Sequence, residues 1–277
     1  MPFLQRPDGV RLHTQMTGRS DAAPVLLIQG LGMNKNGWVL QRFAMATKFR
    51  TITFDNRGAG RSTIPGRPFT LHDMADDAIA VLDHHGIASA HVVGASMGGA
   101  IAQILAVKYP ERVRSLTLAC TACRNMPWRS DLLRSWADTA NVRGVRQWAD
   151  ESARWMIGPR SFRRLAPALG WLGPLATFRP SQGFGQQVAA ILDTDDTLVA
   201  ELSRITVPTL VVVGNQDILT PRADSEEIAE RIPHAELVVI SGAAHGLMVE
   251  HASTFNQIVV DFIERAELST GPTAKAS

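Results

Sequence analysis

The chain of 277 residues has two cysteines, one tyrosine and a net charge of only +2. Two thiols cannot build the disulfide framework of a small secreted scaffold, and a reducing cytoplasm is the expected setting. With 28 basic residues against 26 acidic ones, the electrostatic footprint of a nucleic-acid binder is missing. The opening MPFLQRPDGVRL has no apolar stretch of the kind a secretory leader needs. No apolar run reaches the ~18 residues that suggest a membrane span, so no membrane partner is expected. Repeats and low-complexity tracts are absent, which excludes solenoids and fibrous arrays. His84 and His85 adjoin Asp83 but have no third residue at ligand spacing, and no metal site is expected there.

What the sequence does have is core material. Hydrophobic residues make up 45% and charged residues 19%, ample for one large α/β domain. Short apolar runs read as strands: Val10–Met16, Val25–Ile28, Thr51–Phe54, His91–Ser96, Val113–Ala119, Thr209–Val213 and Leu237–Ile240. Helical periodicity marks the segments around 71–85 and 97–109 and a last helix from about 252 to 268. This alternation predicts an α/β fold with a mainly parallel sheet flanked by helices. It breaks between about 124 and 204, where no strand pattern is found and five of the six tryptophans occur: Trp128, Trp136, Trp148, Trp155 and Trp171. The expected organisation is a core of 1–123 and 205–268, a helical cap of 124–204 inserted into it, and a disordered tail of 269–277.

One hydroxyl sits on the strand-to-helix corner Gly94-Ala95-Ser96-Met97-Gly98. A serine there can simply cap a helix, but a cap does not need glycines on both sides. The G-x-S-x-G pattern in this context is that of a nucleophile elbow. A serine becomes a nucleophile when a base takes its proton. Among eight histidines, His245 lies in SGAAHG after the last strand, surrounded by small residues. Asp217 in VVVGNQD follows another parallel strand and could fix the imidazole tautomer. All three positions fall at the carboxyl ends of strands.

This constellation resembles the α/β-hydrolase family. The resemblance covers nearly the whole chain, through LLIQGLG, FDNRGAGRS, GASMGG, the inserted cap, VPTLVVVGNQD and GAAHG in the family's order. It implies a cap inserted after the sixth strand, Ser96 as nucleophile, His245 as general base and Asp217 as orienting acid. It also implies an oxyanion hole made by the backbone N–H groups of Leu31 and Met97, with no metal or organic cofactor. One departure is Gln29-Gly30, where the family usually has His-Gly. Gln29 either holds that loop through its amide or faces the substrate.

Other motifs read more simply. Gly58-Ala59-Gly60 lacks the third glycine of a dinucleotide loop, since Thr63 stands there. Cys120 and Cys123 form C-x-x-C outside a thioredoxin context and read as packed thiols. Trp148, Ser152 and Trp155 share one helix face, and Trp128, Trp148 and Trp155 divide between cap packing and cradling a ligand. Arginines such as Arg124, Arg129, Arg134, Arg143 and Arg154 leave an anionic substrate open. The expected function is a serine hydrolase cleaving a carboxylic ester or lactone, its small-molecule substrate apolar or aromatic. The alternatives are a C–C bond hydrolase or enol-lactonase of aromatic-compound catabolism, and a ligand sensor that retains the triad. A homodimer is left open.

Overall fold

Strands β3 (Pro24–Ile28) and β5 (Ala90–Ala95) are buried along their whole length, as central parallel strands must be when helices cover both faces. The computed structural model describes residues 1–163, 183–194 and 196–270. Its other strands are β1 (Phe3–Gln5), β2 (Arg11–Thr17), β4 (Arg50–Phe54), β6 (Val113–Ala119), β7 (Thr209–Gly214) and β8 (Glu236–Ile240). They form an eight-stranded sheet in the order β1-β2-β4-β3-β5-β6-β7-β8. The two edge pairings β1/β2 and β2/β4 are antiparallel, and the rest are parallel. All carboxyl ends from β3 to β8 therefore open on one edge, where open α/β sheets bind ligands.

Alternate residues of each strand serve opposite layers. Leu26, Ile28, Val92 and Leu118 pack with helices α2 (Leu71–His84) and α3 (Met97–Lys108). Val25, Leu27, Val93 and Ala119 pack with α1 (Val39–Met45) and the last helix (Ala252–Thr270). Between β6 and β7 run α4 (Pro127–Val142), α5 (Val145–Met156), α6 (Gly183–Leu192) and the short α7 (Thr197–Glu201), and none of the described residues there is in a strand. Helix α8 (Arg222–Arg231) then joins β7 to β8, the four-residue α9 (Leu247–Glu250) follows β8, and the last helix is α10. Trp171 and residues 271–277 lie outside the described residues; Ser269 and Thr270 belong to α10.

The sequence expectation and the structure differ mainly at the margins. Ser96 leaves the strand and stands at the start of α3. The three-residue β1 is too short to show a period.

The loop FDNRGAGRS after β4 is fixed by a buried ion pair. Arg57 donates to Asp77 of α2 through Nε at 2.6 Å and Nη2 at 2.7 Å, and both side chains are 1% exposed. Arg6 and Asp8 complete the cluster. Gly60 is needed in the same loop. A Cβ there would stand 2.4 Å from the Asp55 carboxyl carbon. Removing one partner of a buried pair leaves an uncompensated charge. Arg57→Leu is therefore expected to cost about 3 kcal/mol, seen as a lower urea midpoint. The double variant Arg57→Leu/Asp77→Leu should recover part of the loss, and an unchanged midpoint in the single variant would refute the role given to the pair.

Candidate active site

Ser96 adopts φ 53° and ψ −122°, a conformation that non-glycine residues rarely hold and that costs of the order of 1–3 kcal/mol. The turn closes because the residues two before and two after Ser96 carry no side chains. A Cβ on Gly94 would stand 2.2 Å from the carbonyl oxygen of Gly98, and one on Gly98 would stand 2.2 Å from that of Ile28. The backbone is then gripped from three sides. Ser96 N donates to Ala119 O at 2.9 Å, Thr121 Oγ1 donates to Ser96 O at 2.8 Å, and Gly99 N donates to the same carbonyl. The Ser96 side chain makes no capping bond to its helix. Its hydroxyl is directed elsewhere.

Ser96 Oγ lies 3.0 Å from His245 Nε2, and His245 Nδ1 lies 2.9 Å from Asp217 Oδ2. The chain thus brings together residues from after β5, β7 and β8. His245 and Asp217 are both buried. Asp217 also accepts from Leu219 N and Thr220 N through Oδ1, each at 2.9 Å, and from Thr220 Oγ1 through Oδ2 at 2.8 Å. Burial alone would raise the Asp217 carboxyl. The charge and hydrogen bond of His245 and the bonds from Thr220 outweigh it and hold the group below the usual carboxylate range. An ionised Asp217 accepts only, so Nδ1 carries the proton and Nε2 is free to accept from Ser96.

The loop expected to bind the oxyanion follows β3. Gly30 borders the corner closely enough that a Cβ on it would stand 3.2 Å from Ser96 Cβ. Among the described residues, neither the Leu31 nor the Met97 backbone N–H donates to a protein acceptor. Both residues line the cavity above Ser96. Gln29 is buried; its Oε1 accepts from Gly30 N at 3.1 Å and its carbonyl accepts from Asn56 Nδ2 at 2.9 Å. Its amide holds the loop, and the residue also forms part of the cavity wall.

That cavity measures about 570 Å³ and its wall is mostly apolar. Trp148 belongs to the wall and also packs edge-on against Trp136 and Phe184. Trp128 and Trp155 stack on each other at 6.1 Å, apart from the residues that line the cavity. Cys120 and Cys123 are free, buried thiols in the wall. Burial pushes Cys123 up to about 11 and raises Cys120 well above the usual thiol range. Neither supplies the thiolate that redox chemistry needs.

Two buried polar side chains not anticipated from the sequence tie the inserted helices to these loops. Glu250 accepts from Ala244 N at 3.0 Å, just before His245, and from Gly158 N at 2.9 Å, just beyond α5. Gly246 N, just after His245, donates to Met156 O at 2.6 Å. Gln187 of α6 accepts from Gly32 N at 2.8 Å and donates to Arg57 O at 2.9 Å. Apart from Ala244, six residues from Glu250, their partners lie 92, 155 and 130 residues away along the chain, beyond the reach of a local pattern. Thr220 is more accessible to sequence reasoning, since a hydroxyl three residues after Asp217 is a common turn device.

Comparison with known proteins places the fold in a family. The model of the alpha/beta hydrolase fold family matches residues 23–252. A provisionally named carbamate hydrolase RutD of Caulobacter segnis is 30% identical over 250 residues, 87% of this chain and 91% of that protein. The 3-oxoadipate enol-lactonase 2 of Acinetobacter baylyi is 29% identical over 259 residues, 92% of this chain and 94% of that protein. The crystal structure of the enol-lactonase from Burkholderia xenovorans LB400 superposes with a TM-score of 0.88 at 28% identity, covering 95% of this chain and all of that one. With the sheet order, the serine corner and this match over most of its length, the chain belongs to the α/β-hydrolase fold family.

Proposed function

We propose that the protein is a serine hydrolase that cleaves carboxylic esters or lactones through an acyl-enzyme on Ser96. The observation that carries this reading is the unbroken line from Ser96 Oγ to His245 to Asp217, at 3.0 and 2.9 Å. In the first step Ser96 Oγ attacks the substrate carbonyl while its proton passes to His245 Nε2. Asp217 keeps the imidazole in the productive tautomer and stabilises the imidazolium. The carbonyl oxygen, now negative, takes the N–H groups of Leu31 and Met97. Collapse expels the alcohol oxygen, which receives the proton from His245. Water then attacks the acyl-enzyme with His245 as base, and the acid is released with Ser96 restored.

The helices of 124–204 act in this reading as a cap over a core of 1–123 and 205–268. Wall residues Arg129, Trp148 and Ile191 come from α4, α5 and α6. The apolar wall suits an apolar or aromatic acyl or alcohol part. Relatives named enol-lactonases keep cyclic esters within the substrate class. Two free, buried cysteines fit a reducing cytoplasm. A ligand sensor that retains the triad would share this relay but would turn over no ester.

A fluorophosphonate probe should label the wild-type protein and leave Ser96→Ala unlabelled. In the same variant, kcat on a reactive ester such as p-nitrophenyl butyrate should fall by about 10⁴-fold or more. Labelling that persists in Ser96→Ala would overturn the assignment of the nucleophile.

Asp217→Asn leaves the shape of the site in place but presents an amide to His245 Nδ1. The expected result is a fall in kcat of about 10⁴-fold with a much smaller change in KM. A loss of only a fewfold would remove Asp217 from the role of orienting acid.

A further inference from the structure

Asp217 divides its two oxygens between two tasks. Oδ1 accepts from Leu219 N and Thr220 N, each at 2.9 Å, and these bonds close the turn after β7. Both donors are backbone groups, which any non-proline residue at those positions would supply. Oδ2 faces the base. His245 Nδ1 lies 2.9 Å from it, and Thr220 Oγ1 lies 2.8 Å from it. Thr220 Oγ1 in turn lies 3.1 Å from His245 Nδ1. Carboxylate oxygen, hydroxyl oxygen and ring nitrogen thus stand at the corners of a nearly equilateral triangle. All three residues are buried, and Thr220, 5% exposed, also belongs to the cavity wall. The turn is held through Oδ1 without the hydroxyl, so turn formation does not account for a threonine at this position.

Proton counting sets the direction of each side of the triangle. The ionised carboxylate only accepts. The one hydroxyl proton of Thr220 therefore goes to Asp217 Oδ2, the charged and nearer acceptor. Toward His245 the same oxygen has only lone pairs to offer, and Nδ1 donates. Its N–H is then shared between Asp217 Oδ2 and Thr220 Oγ1 as a three-centre bond. Resting on the hydrolase reading above, we infer that Thr220 is a positioning residue for that reaction, its hydroxyl oxygen a second acceptor for the Nδ1–H of His245. A ring with its proton on Nε2 would set the Nδ1 lone pair against the carboxylate, or draw the Thr220 proton away from it. Either way a bond to the charged group is lost, and Thr220 adds to the preference for the productive tautomer. A ring that turns out of line with Ser96 gives up two acceptors instead of one. As the ring takes the proton from Ser96, its N–H becomes a charged donor and both bonds strengthen. The gain comes in the transition state, where it accelerates the reaction.

The test removes the hydroxyl and keeps the shape. In Thr220→Val, kcat on p-nitrophenyl butyrate should fall by about tenfold, the scale of one hydrogen bond to a group that becomes charged, with KM nearly unchanged. Thr220→Ser returns the hydroxyl and should recover most of the loss. Thr220→Ala is a second hydroxyl-free variant with the same expected loss, which covers the case of misfolding in the first. An action confined to Asp217 is separated by repeating the exchange without the carboxylate. In an Asp217→Ala background, Thr220→Val should still slow fluorophosphonate labelling of Ser96 by about fivefold. A loss of kcat below about twofold in the hydroxyl-free variants, no recovery with serine, or no further slowing in the Asp217→Ala background would each overturn the inference. The contact is read without turnover by NMR of protein carrying isotopically labelled histidine. There the His245 Nδ1–H resonance should move in Thr220→Val and return in Thr220→Ser. If it does so while wild-type protein turns over no ester, the hydrolase reading fails and the Thr220 bond to His245 stands. If wild-type protein turns over the ester while neither kcat nor the resonance responds to Thr220→Val, the Thr220 role fails and the hydrolase reading stands.

Discussion

The chemistry at the carboxyl edge of the sheet depends on how closely α3 begins against β3. Gly98 passes the carbonyls of Ile28 and Gln29 at distances that admit a hydrogen and nothing larger, and Gly94 passes Gly98 in the same way. Any side chain at either position would push the helix off the sheet. Ser96 would then leave the neighbourhood of Gly30. The strained Ser96 backbone is one cost of this approach. It is offset locally by the bonds from Ser96 N to Ala119 and from Thr121 and Gly99 to the Ser96 carbonyl. The glycines of the motif are thus not flexible spacers. They are the contact surface on which the site is built.

The second dependence runs between the inserted helices and the loops they cover. Glu250 and the Met156 carbonyl fix the backbone on both sides of His245, and each reaches the segment at the end of α5. Gln187 joins α6 to the loop after β3 and to the loop after β4. Polar groups this deep are tolerated only when paired, so each bridge is a positional constraint as well as a bond. A shift of 156–158 is therefore felt directly on both sides of His245. The segments that wall the cavity also hold His245 and the loop after β3 in place.

Much of this was legible in the sequence because the signals are local. The apolar runs that became β3 and β7 are continuous, and the serine corner announces itself by small residues on both sides of one hydroxyl. His245 and Asp217 were found by position, each a short step beyond a strand. What escaped has no local signature. Arg129 in a helix reads as a solvated charge until Asp224 is brought to it from 95 residues away. Glu250 reads as one more surface acid at a helix end, yet it is buried on two backbone donors. The tryptophans were ambiguous for a different reason, since aromatic rings serve packing and recognition alike. Trp148 does belong to both the cavity wall and the packing of the inserted helices, whereas Trp128 and Trp155 face one another beside it.

The buried relay carries one resident charge, the carboxylate of Asp217. Burial strengthens each hydrogen bond to a charged group, but it also penalises that carboxylate. The penalty is met by four donors: Leu219 N, Thr220 N, Thr220 Oγ1 and His245 Nδ1. Three of these come from the turn that carries Asp217 itself and need no movement of a distant element. These donors, His245 first among them, hold the Asp217 carboxyl below its usual range despite burial. In the proposed mechanism the counter-charge for the imidazolium is already in position when Ser96 gives up its proton, and neither solvent nor protein has to reorganise around it.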